Sequence, residues 1–169
     1  KAFLKDLPVS EEIPATEEAK GIKDKDLPAL VKEAKEMILY GEAPERLLFY
    51  VDDHCLHLDS LGENARGILS DQRVKKIGHD LKTLKVALAK SGFNLGGLSF
   101  DTMIAGYLIN PSRNYNLADL AWDYLGSAVK AESLSDAQGA SLVKKLKPVL
   151  EQELQQRALS KLFLETEMP

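Results

Sequence analysis

The sequence predicts an α/β domain built around one mixed sheet, and two features of its pattern lead to that fold class. Three short apolar segments, at residues 37–40, 47–51 and 55–58, are separated by the polar breaks Gly41-Glu42-Ala43-Pro44 and Asp52-Asp53. Short polar breaks favour hairpins, so the first three strands are expected to be antiparallel. A strand–helix–strand unit follows and implies a right-handed parallel crossover. Antiparallel strands followed by alternating helices and strands are typical of α/β or α+β domains.

The other elements are predicted from apolar periodicity and from the residues that begin and end helices. Asp26 is predicted to cap a helix over residues 27–35, with Pro28 allowed in its first turn. Further strands are expected at residues 76–78 and 97–100. Further helices are expected at residues 62–74, Leu81–Lys90, Thr102–Ile109, Leu117–Leu125 and about 135–164, and the three middle ones are stopped by Ser91-Gly92, Asn110-Pro111 and Gly126.

The beginning of the chain has a different character. Residues 1–25 are rich in Glu, Lys and Pro and have no sustained periodicity, so a tether or N-terminal arm is predicted there. The folded domain is then residues 26–169. Because the chain begins with Lys1 rather than Met, we expect it to be a fragment of a longer protein.

Composition argues against several classes of protein. The 169 residues suffice for one domain with a real core, and the formal net charge is −4. That charge argues against strong autonomous nucleic-acid binding, because phosphate neutralisation normally requires a basic excess. The single cysteine, Cys55, cannot form an internal disulfide, so a reducing cytoplasm is the expected compartment. No apolar run approaches the roughly 18 residues of a membrane span, and we expect a monomer with no membrane partner.

Several motifs in a fixed order carry a family resemblance. The segment Lys76-Ile77-Gly78-His79-Asp80-Leu81-Lys82 resembles the second exonuclease motif of family A DNA polymerases, where the pattern is roughly Gly-x-Asn-Leu-Lys-Tyr-Asp. The later runs similar to that family are Phe100-Asp101-Thr102-Met103, Tyr107-Leu108, Asn110-Pro111, Leu117-Ala118-Asp119-Leu120-Ala121 and Glu167-Met168-Pro169. From about residue 37 to its end, the chain is similar to the 3′–5′ exonuclease-like domain of the bacterial members of that family, the DNA polymerase I enzymes.

The resemblance has implications for the fold and for the partners. It implies a ribonuclease H-like (DnaQ-like exonuclease) mixed sheet with the first three strands antiparallel and helices on its faces. It also implies that the domain of residues 26–169 ends at the junction to a polymerase domain, and that the N-terminal arm leads back to a 5′ nuclease domain. DNA would then be contacted through the parent enzyme, a DNA-directed DNA polymerase for replication and repair.

The resemblance also implies four carboxylate positions, because active members hydrolyse the 3′ end of DNA with two metal ions that carboxylates hold. The first motif, Asp-x-Glu, falls on Tyr40 and Glu42. The Asp of the second motif falls on Leu84, and the family's preceding aromatic residue is Thr83 here. A phenol is neutral at pH 7 and a poor ligand for hard cations, and leucine offers no ligand.

The third motif, Tyr-x-x-x-Asp, falls near residues 134–138, where either Asp136 or Gln138 is the equivalent of its Asp. The possible surviving carboxylates are therefore Glu42 and Asp136. A single glutamate cannot hold two divalent ions, since Mg²⁺ gives up its water reluctantly. The sequence thus predicts a vestigial, non-catalytic domain with no catalytic residues and no metal or other cofactor.

Two other functions remain open at this point. One is an active proofreading exonuclease that holds Mg²⁺ or Mn²⁺ with relocated carboxylates, drawn from Glu42, Asp52, Asp80, Asp101 and Asp136. Asp80 and Asp101 also fit helix N-caps, and that interpretation is preferred. The other function is a passive DNA-contact surface, against which the acidic net charge argues.

Two smaller expectations concern a metal site and the core. Cys55, His57 and Asp59 share one face of a predicted strand, but no second Cys/His pair completes a closed zinc site. A polar sheet face is therefore the preferred interpretation. Trp122 has apolar neighbours on a predicted helix and is expected to lie in the core.

Overall fold

The computed structural model describes residues 18–130 and 134–168, and within these residues six strands form one mixed sheet. Across the sheet they are β1 (Lys20–Ile22), β4 (His54–Leu58), β3 (Leu48–Val51), β2 (Glu36–Tyr40), β5 (Lys75–Gly78) and β6 (Leu98–Asp101). The neighbours β2, β3 and β4 are antiparallel, whereas β5 is parallel to both β2 and β6. The predicted antiparallel start, parallel crossover and mixed sheet are confirmed.

The helices of the described residues are α1 (Leu27–Val31), α2 (Glu63–Ser70), α3 (Leu81–Lys90), α4 (Thr102–Ile109), α5 (Leu117–Leu125), α6 (Asp136–Gln156) and α7 (Ser160–Leu162). A 3₁₀ turn at Asp24–Asp26 precedes α1, and a π-helical turn at Phe163–Glu167 follows α7. The predicted bounds of α3, α4 and α5 are confirmed. None of the helices in the described part of the chain combines the length and the apolarity needed to cross a lipid bilayer.

The sheet is covered on both faces, and this is why its central strands do not alternate between apolar and polar residues. β3 is buried along its whole length, and β2 buries three consecutive residues, Met37, Ile38 and Leu39. α6 packs against β2, α4 and α5. Its leucines at 142, 146, 150 and 154 form the buried stripe.

The prediction of a single long helix over residues 135–164 is wrong. α6 ends at Gln156, and Ala158 takes a left-handed conformation with φ of 57°. The amide of Ala158 donates to the Gln155 carbonyl and the amide of Leu159 donates to the Leu154 carbonyl. This pair of bonds is a Schellman motif, which stops a helix whatever the apolar period beyond it. The segment after the stop turns back so that Phe163 contacts Phe100.

Replacing Ala158 with glycine is expected to stabilise the domain. The left-handed conformation is unfavourable for a residue with a Cβ, so Ala158→Gly should raise the free energy of unfolding by about 0.5–1 kcal/mol. The side chain of Ala158 is exposed, so no packing is lost. Urea denaturation monitored by circular dichroism measures the change, and a lower midpoint than that of the wild type would contradict it.

The predictions for α1, α2 and the arm need correction. α1 ends at Val31, and Asp26 makes no side-chain hydrogen bond to it. α2 ends at Ser70 because the Asp71 carboxylate accepts from the Arg73 amide and turns the chain away from the helix. Most of the predicted arm, residues 1–17, lies outside the described residues.

The last part of the predicted arm belongs to the fold. β1 pairs in parallel with β4 at the edge of the sheet. The Asp24 carboxylate accepts hydrogen bonds from the amides of Gly62 (3.0 Å), Asn64 (3.0 Å) and Ala65 (2.8 Å) at the N-terminus of α2. A charged acceptor at this end of a helix satisfies free amides and complements the helix dipole. Asp24 therefore caps a helix about forty residues further along the chain.

An Asp24→Ala variant is expected to lose about 1–2 kcal/mol of stability at pH 7. Desolvation alone would raise the pKa of Asp24, but hydrogen bonds from Ala65 and Asn64 outweigh it and hold the pKa below its usual value. Because the pKa is lower in the folded state, this stabilisation is present above the ordinary carboxyl pKa and is lost as pH falls through the lowered one. Denaturation between pH 2 and 7 should show the variant and the wild type converging in acid. A difference in stability that does not depend on pH would contradict the assignment.

Candidate functional site

A pocket of about 410 Å³ opens at the carboxyl ends of β2 and β5. These strands are parallel neighbours, with Leu39 paired to Gly78, so the loops that follow them meet at one edge of the sheet. The first turns of α3 and the N-terminus of α6 complete the walls. We call this cavity the strand-end pocket; the residues that bear on its chemistry are Tyr40, Glu42, Arg46, His79, Asp80, Thr83, Leu84 and Asp136.

The first-motif positions lie at the mouth of the strand-end pocket. Tyr40 is the last residue of β2, and its ring lies so close to Gly139 of α6 that a Cβ at Gly139 would overlap it. Burial, and then the charge of Asp136, raise the pKa of the Tyr40 phenol, so it is neutral at physiological pH. Glu42 follows in the loop, with a side chain that is 86% exposed.

The second-motif positions lie on α3. Leu84 is 7% exposed and lines the strand-end pocket together with Thr83 one residue earlier. Asp80 caps this helix, as predicted: its carboxylate accepts from the Thr83 amide at 3.3 Å, with φ of 58°. The apolar side chain of Leu84 thus lines the pocket where the family resemblance places a metal-binding carboxylate.

The two candidates for the third motif lie in different surroundings. Asp136 lines the strand-end pocket, whereas Gln138 takes part in the cap of α6. The Gln138 side chain accepts from the Ser135 amide at 3.0 Å, and the Ser135 hydroxyl accepts from the Gln138 amide at 3.2 Å. This is a capping box, and its Ser-x-x-Gln pattern was a signal in the sequence that could have separated the two candidates.

Arg46 belongs to the strand-end pocket, and sequence reasoning missed it. Its Nη2 lies 3.0 Å from Oδ2 of Asp136, and its Nη1 lies 4.0 Å from Oε2 of Glu42. The guanidinium therefore links the two possible surviving carboxylates. Glu42 is only four residues from Arg46 in the sequence, but Asp136 is 90 residues from it. No local sequence pattern could therefore have predicted the contact between Arg46 and Asp136.

Asp101 is fully buried beside the pocket, and its carboxylate is hydrogen-bonded to backbone amides. Its carboxylate accepts from the amides of Asp80 (3.1 Å), Leu81 (2.7 Å), Met103 (2.8 Å) and Ile104 (3.4 Å). The predicted cap of α4 is confirmed, and the same side chain also caps α3. A carboxylate with four donors has no need of a metal ion and little capacity left for one.

His79 is held in the same network. Its Nδ1 lies 2.9 Å from the Thr102 hydroxyl, which donates to the Gly78 carbonyl. Burial lowers the pKa of His79, while the charges of Asp101 and Asp80 oppose that shift. The imidazole is therefore neutral at pH 7, and the positive charge of the strand-end pocket comes from Arg46.

The remaining candidates lie elsewhere. Asp52 is in the β3–β4 turn, at the end of the sheet opposite the strand-end pocket, since β3 runs antiparallel to β2. Cys55 is buried in β4, and the His57 ring lies 3.3 Å from the Glu45 carbonyl. The core prediction for Trp122 is wrong, because its side chain is 59% exposed on the outer face of α5.

The donor set does not fit the two divalent cations that the family resemblance implies. Tyr40 is a neutral phenol, Leu84 has no donor atom, and Asp136 is paired with a guanidinium. Across residues 18–130 and 134–168, no three His, Cys, Asp or Glu side chains form a group able to hold a metal ion. The side chains of the strand-end pocket can form ion pairs and can donate or accept hydrogen bonds.

Comparisons with known proteins agree with this architecture. Over 87 residues the chain is 36% identical to DNA polymerase I of Bacillus subtilis, a match covering 51% of this chain and 10% of that protein. Over 66 residues it is 38% identical to DNA polymerase I of Mycobacterium leprae, covering 38% of this chain and 7% of that protein. The chain thus spans about a tenth of the length of these relatives.

Solved structures show the same fold at low sequence identity. The polymerase domain of Pol1 from M. smegmatis, in complex with DNA primer-template and dNTP, aligns with a TM-score of 0.73 at 24% identity, over 88% of this chain and 30% of that one. NrnC of Brucella melitensis aligns with a TM-score of 0.63 at 20% identity, over 87% and 86% of the two chains. Escherichia coli RNase D, an exoribonuclease, aligns with a TM-score of 0.64 at 18% identity, over 86% and 47%.

The family model for the DNA polymerase I ribonuclease H-like domain matches residues 44–159, which is more than two thirds of the chain. That range contains α2 to α6 and four of the six described strands, β3 to β6, and it excludes β1 and β2, the strand that carries Tyr40. The motif order, the strand order and the relatives agree with the match. The chain belongs to the family of DNA polymerase I ribonuclease H-like domains, the 3′–5′ exonuclease-like domains of family A polymerases.

Proposed function

We propose that this chain is a non-catalytic 3′–5′ exonuclease-like domain and a structural part of a DNA-directed DNA polymerase for replication and repair. The observation that carries the proposal is the pair Tyr40 and Leu84. Both stand at carboxylate positions of the family and line the strand-end pocket, and neither offers a carboxylate. A two-metal mechanism needs several charged oxygens around one point, and the loss of half of the implied set removes the means of holding both ions.

The state of the surviving carboxylates supports the same proposal. Glu42 extends into solvent, and Asp136 forms a 3.0 Å ion pair with Arg46. A metal ion would have to displace that guanidinium from Asp136 and give up hydration for few ligands in return. The Tyr40 ring packs against Gly139, and this contact reduces the space in which a metal ion could lie.

A second candidate function is proofreading with relocated carboxylates, and one observation favours it. Glu42, Asp80 and Asp136 line the same pocket. Two of these carboxylates already have protein partners, since Asp80 caps α3 and Asp136 pairs with Arg46. Asp52 and Asp101 add no ligand to this pocket. Asp52 lies at the far end of the sheet, and Asp101 already accepts hydrogen bonds from backbone amides. We therefore favour the non-catalytic function.

The partners in this proposal are the polymerase and 5′ nuclease domains of the parent chain. Support comes from the relatives, in which the matched region is about a tenth of a DNA polymerase I. DNA would be contacted through the parent enzyme, and the domain would act in the cytoplasm as part of a monomeric protein.

Digestion of DNA tests the proposal directly. A 5′-labelled single-stranded oligonucleotide is incubated with the 169-residue chain in Mg²⁺ and, separately, in Mn²⁺, while calorimetry with each ion measures binding. We expect no shortening from the 3′ end and no heat of metal binding. The control is the Glu42→Ala/Asp136→Ala variant. Shortening by the wild type that disappears in the control would refute the proposal and establish the relocated-carboxylate exonuclease.

A further inference from the structure

We infer that Arg46 is a built-in cation that replaces divalent metal in balancing the carboxylates of the strand-end pocket. The inference rests on the proposed function, because it explains how a pocket without metal keeps acidic side chains close together. The guanidinium lies 3.0 Å from Asp136 and 4.0 Å from Glu42. It bridges the loop after β2 and the first turn of α6.

The charges that line the pocket favour such a cation. Glu42, Asp80 and Asp136 each bring a negative charge, and carboxylates gathered at one site repel one another. Of the described residues that line the pocket, Arg46 is the one with a permanent positive charge, since burial keeps His79 neutral. With Arg46 removed, Asp136 would lose its ion pair, and a divalent cation could bind this carboxylate without displacing the guanidinium.

The backbone holds Arg46 in this position. The Arg46 amide donates to the Glu42 carbonyl at 2.8 Å, which closes the loop after β2 into a turn. Gly41 begins that turn with φ of 102°, a conformation that favours glycine, and a Cβ there would overlap the Arg46 carbonyl oxygen. The turn thus returns the chain so that the Arg46 side chain reaches Asp136.

The same positive charge excludes divalent ions. A cation approaching Asp136 would have to lie within a few ångströms of the guanidinium, and like charges at that distance repel even with solvent screening. The planar guanidinium can form two parallel hydrogen bonds with a carboxylate, whereas an ammonium group acts as a point charge. A lysine at this position should therefore keep the exclusion but hold Asp136 less firmly.

Manganese binding tests this inference. We expect Arg46→Gln to bind Mn²⁺ about tenfold or more tightly than the wild type, measured as loss of the free-ion signal in electron paramagnetic resonance. In EDTA the same variant should melt at a lower temperature than the wild type, and Mn²⁺ should restore the loss. Arg46→Lys should show no gain in Mn²⁺ affinity, and Arg46→Gln/Asp136→Asn should abolish the gain of the single variant.

The matched control is Arg73→Gln. Arg73 is an exposed arginine paired at 2.8 Å with Asp71, and neither residue lines the strand-end pocket. This control should bind Mn²⁺ no better than the wild type. Equal Mn²⁺ affinity for Arg46→Gln and the wild type, or an equal gain in Arg73→Gln, would overturn the inference alone. Mn²⁺ binding by the wild type accompanied by digestion of single-stranded DNA would instead overturn the proposed function.

Discussion

An Asp101→Ala variant is expected to lose about 3–5 kcal/mol of stability, one of the two largest effects that the structure predicts. Asp101 is fully buried, and its carboxylate accepts hydrogen bonds from four backbone amides. Removing it leaves the N-termini of both α3 and α4 without their shared acceptor, in a place that water does not reach. Urea denaturation followed by circular dichroism measures the loss.

The control for this experiment is Asn116→Ala, which removes an ordinary exposed cap. Asn116 accepts one amide, that of Asp119, at 2.9 Å, so its loss should cost about 1 kcal/mol. Asp101→Asn keeps an acceptor oxygen but no charge and should lie between the two, which keeps the comparison informative if the alanine variant does not fold. Equal losses for Asp101→Ala and Asn116→Ala would refute the double-capping role.

A Leu84→Asp variant is expected to be destabilised by about 3 kcal/mol or more at pH 7. The side chain of Leu84 is 7% exposed and belongs to the buried core, so the change removes apolar burial and places a carboxylate near Asp136. Aspartate is the residue that the family resemblance implies at position 84. The prediction therefore tests the proposal that leucine at this position makes the metal-free domain more stable than an aspartate would.

Leu84→Ala separates the two contributions in this second experiment. It removes the apolar contacts without adding charge and should cost about 2–3 kcal/mol. The melting temperature of each variant is compared with that of the wild type in EDTA. An unchanged or raised melting temperature for Leu84→Asp would show that leucine gives no stability advantage over aspartate at this position.

Both predictions concern the same edge of the sheet, where β2, β5 and β6 end. Here the backbone amides that start α3 and α4 converge on Asp101, and Tyr40 and Leu84 line the strand-end pocket. The backbone caps at this edge are therefore in place, while the positions that the resemblance assigns to metal-binding carboxylates hold a tyrosine and a leucine. Under the proposed function, a domain with this combination retains its fold without the carboxylates that the family resemblance implies.

The sequence alone determined the fold class and the order of most elements, and it predicted which residues stand at the proposed site. The bounds of α4 and α5 followed from end signals at Asn110 and Gly126, and the hairpin order followed from short polar breaks. Tyr40 and Leu84 were predicted as site positions from the family resemblance, and both line the strand-end pocket. All of these signals are local, because helix caps, turns and side-chain periodicity act over a few residues.

Only the tertiary structure decided which residues meet at the site and how the ends of the chain are held. Arg46 reaches Asp136 across 90 residues, and Asp24 caps a helix 38 to 41 residues away. The stop of α6 at Ala158 and the exposure of Trp122 likewise depend on how neighbouring segments pack. Such contacts depend on the path of every intervening loop, and a polar residue in a loop carries no local sign of the partner that it will find.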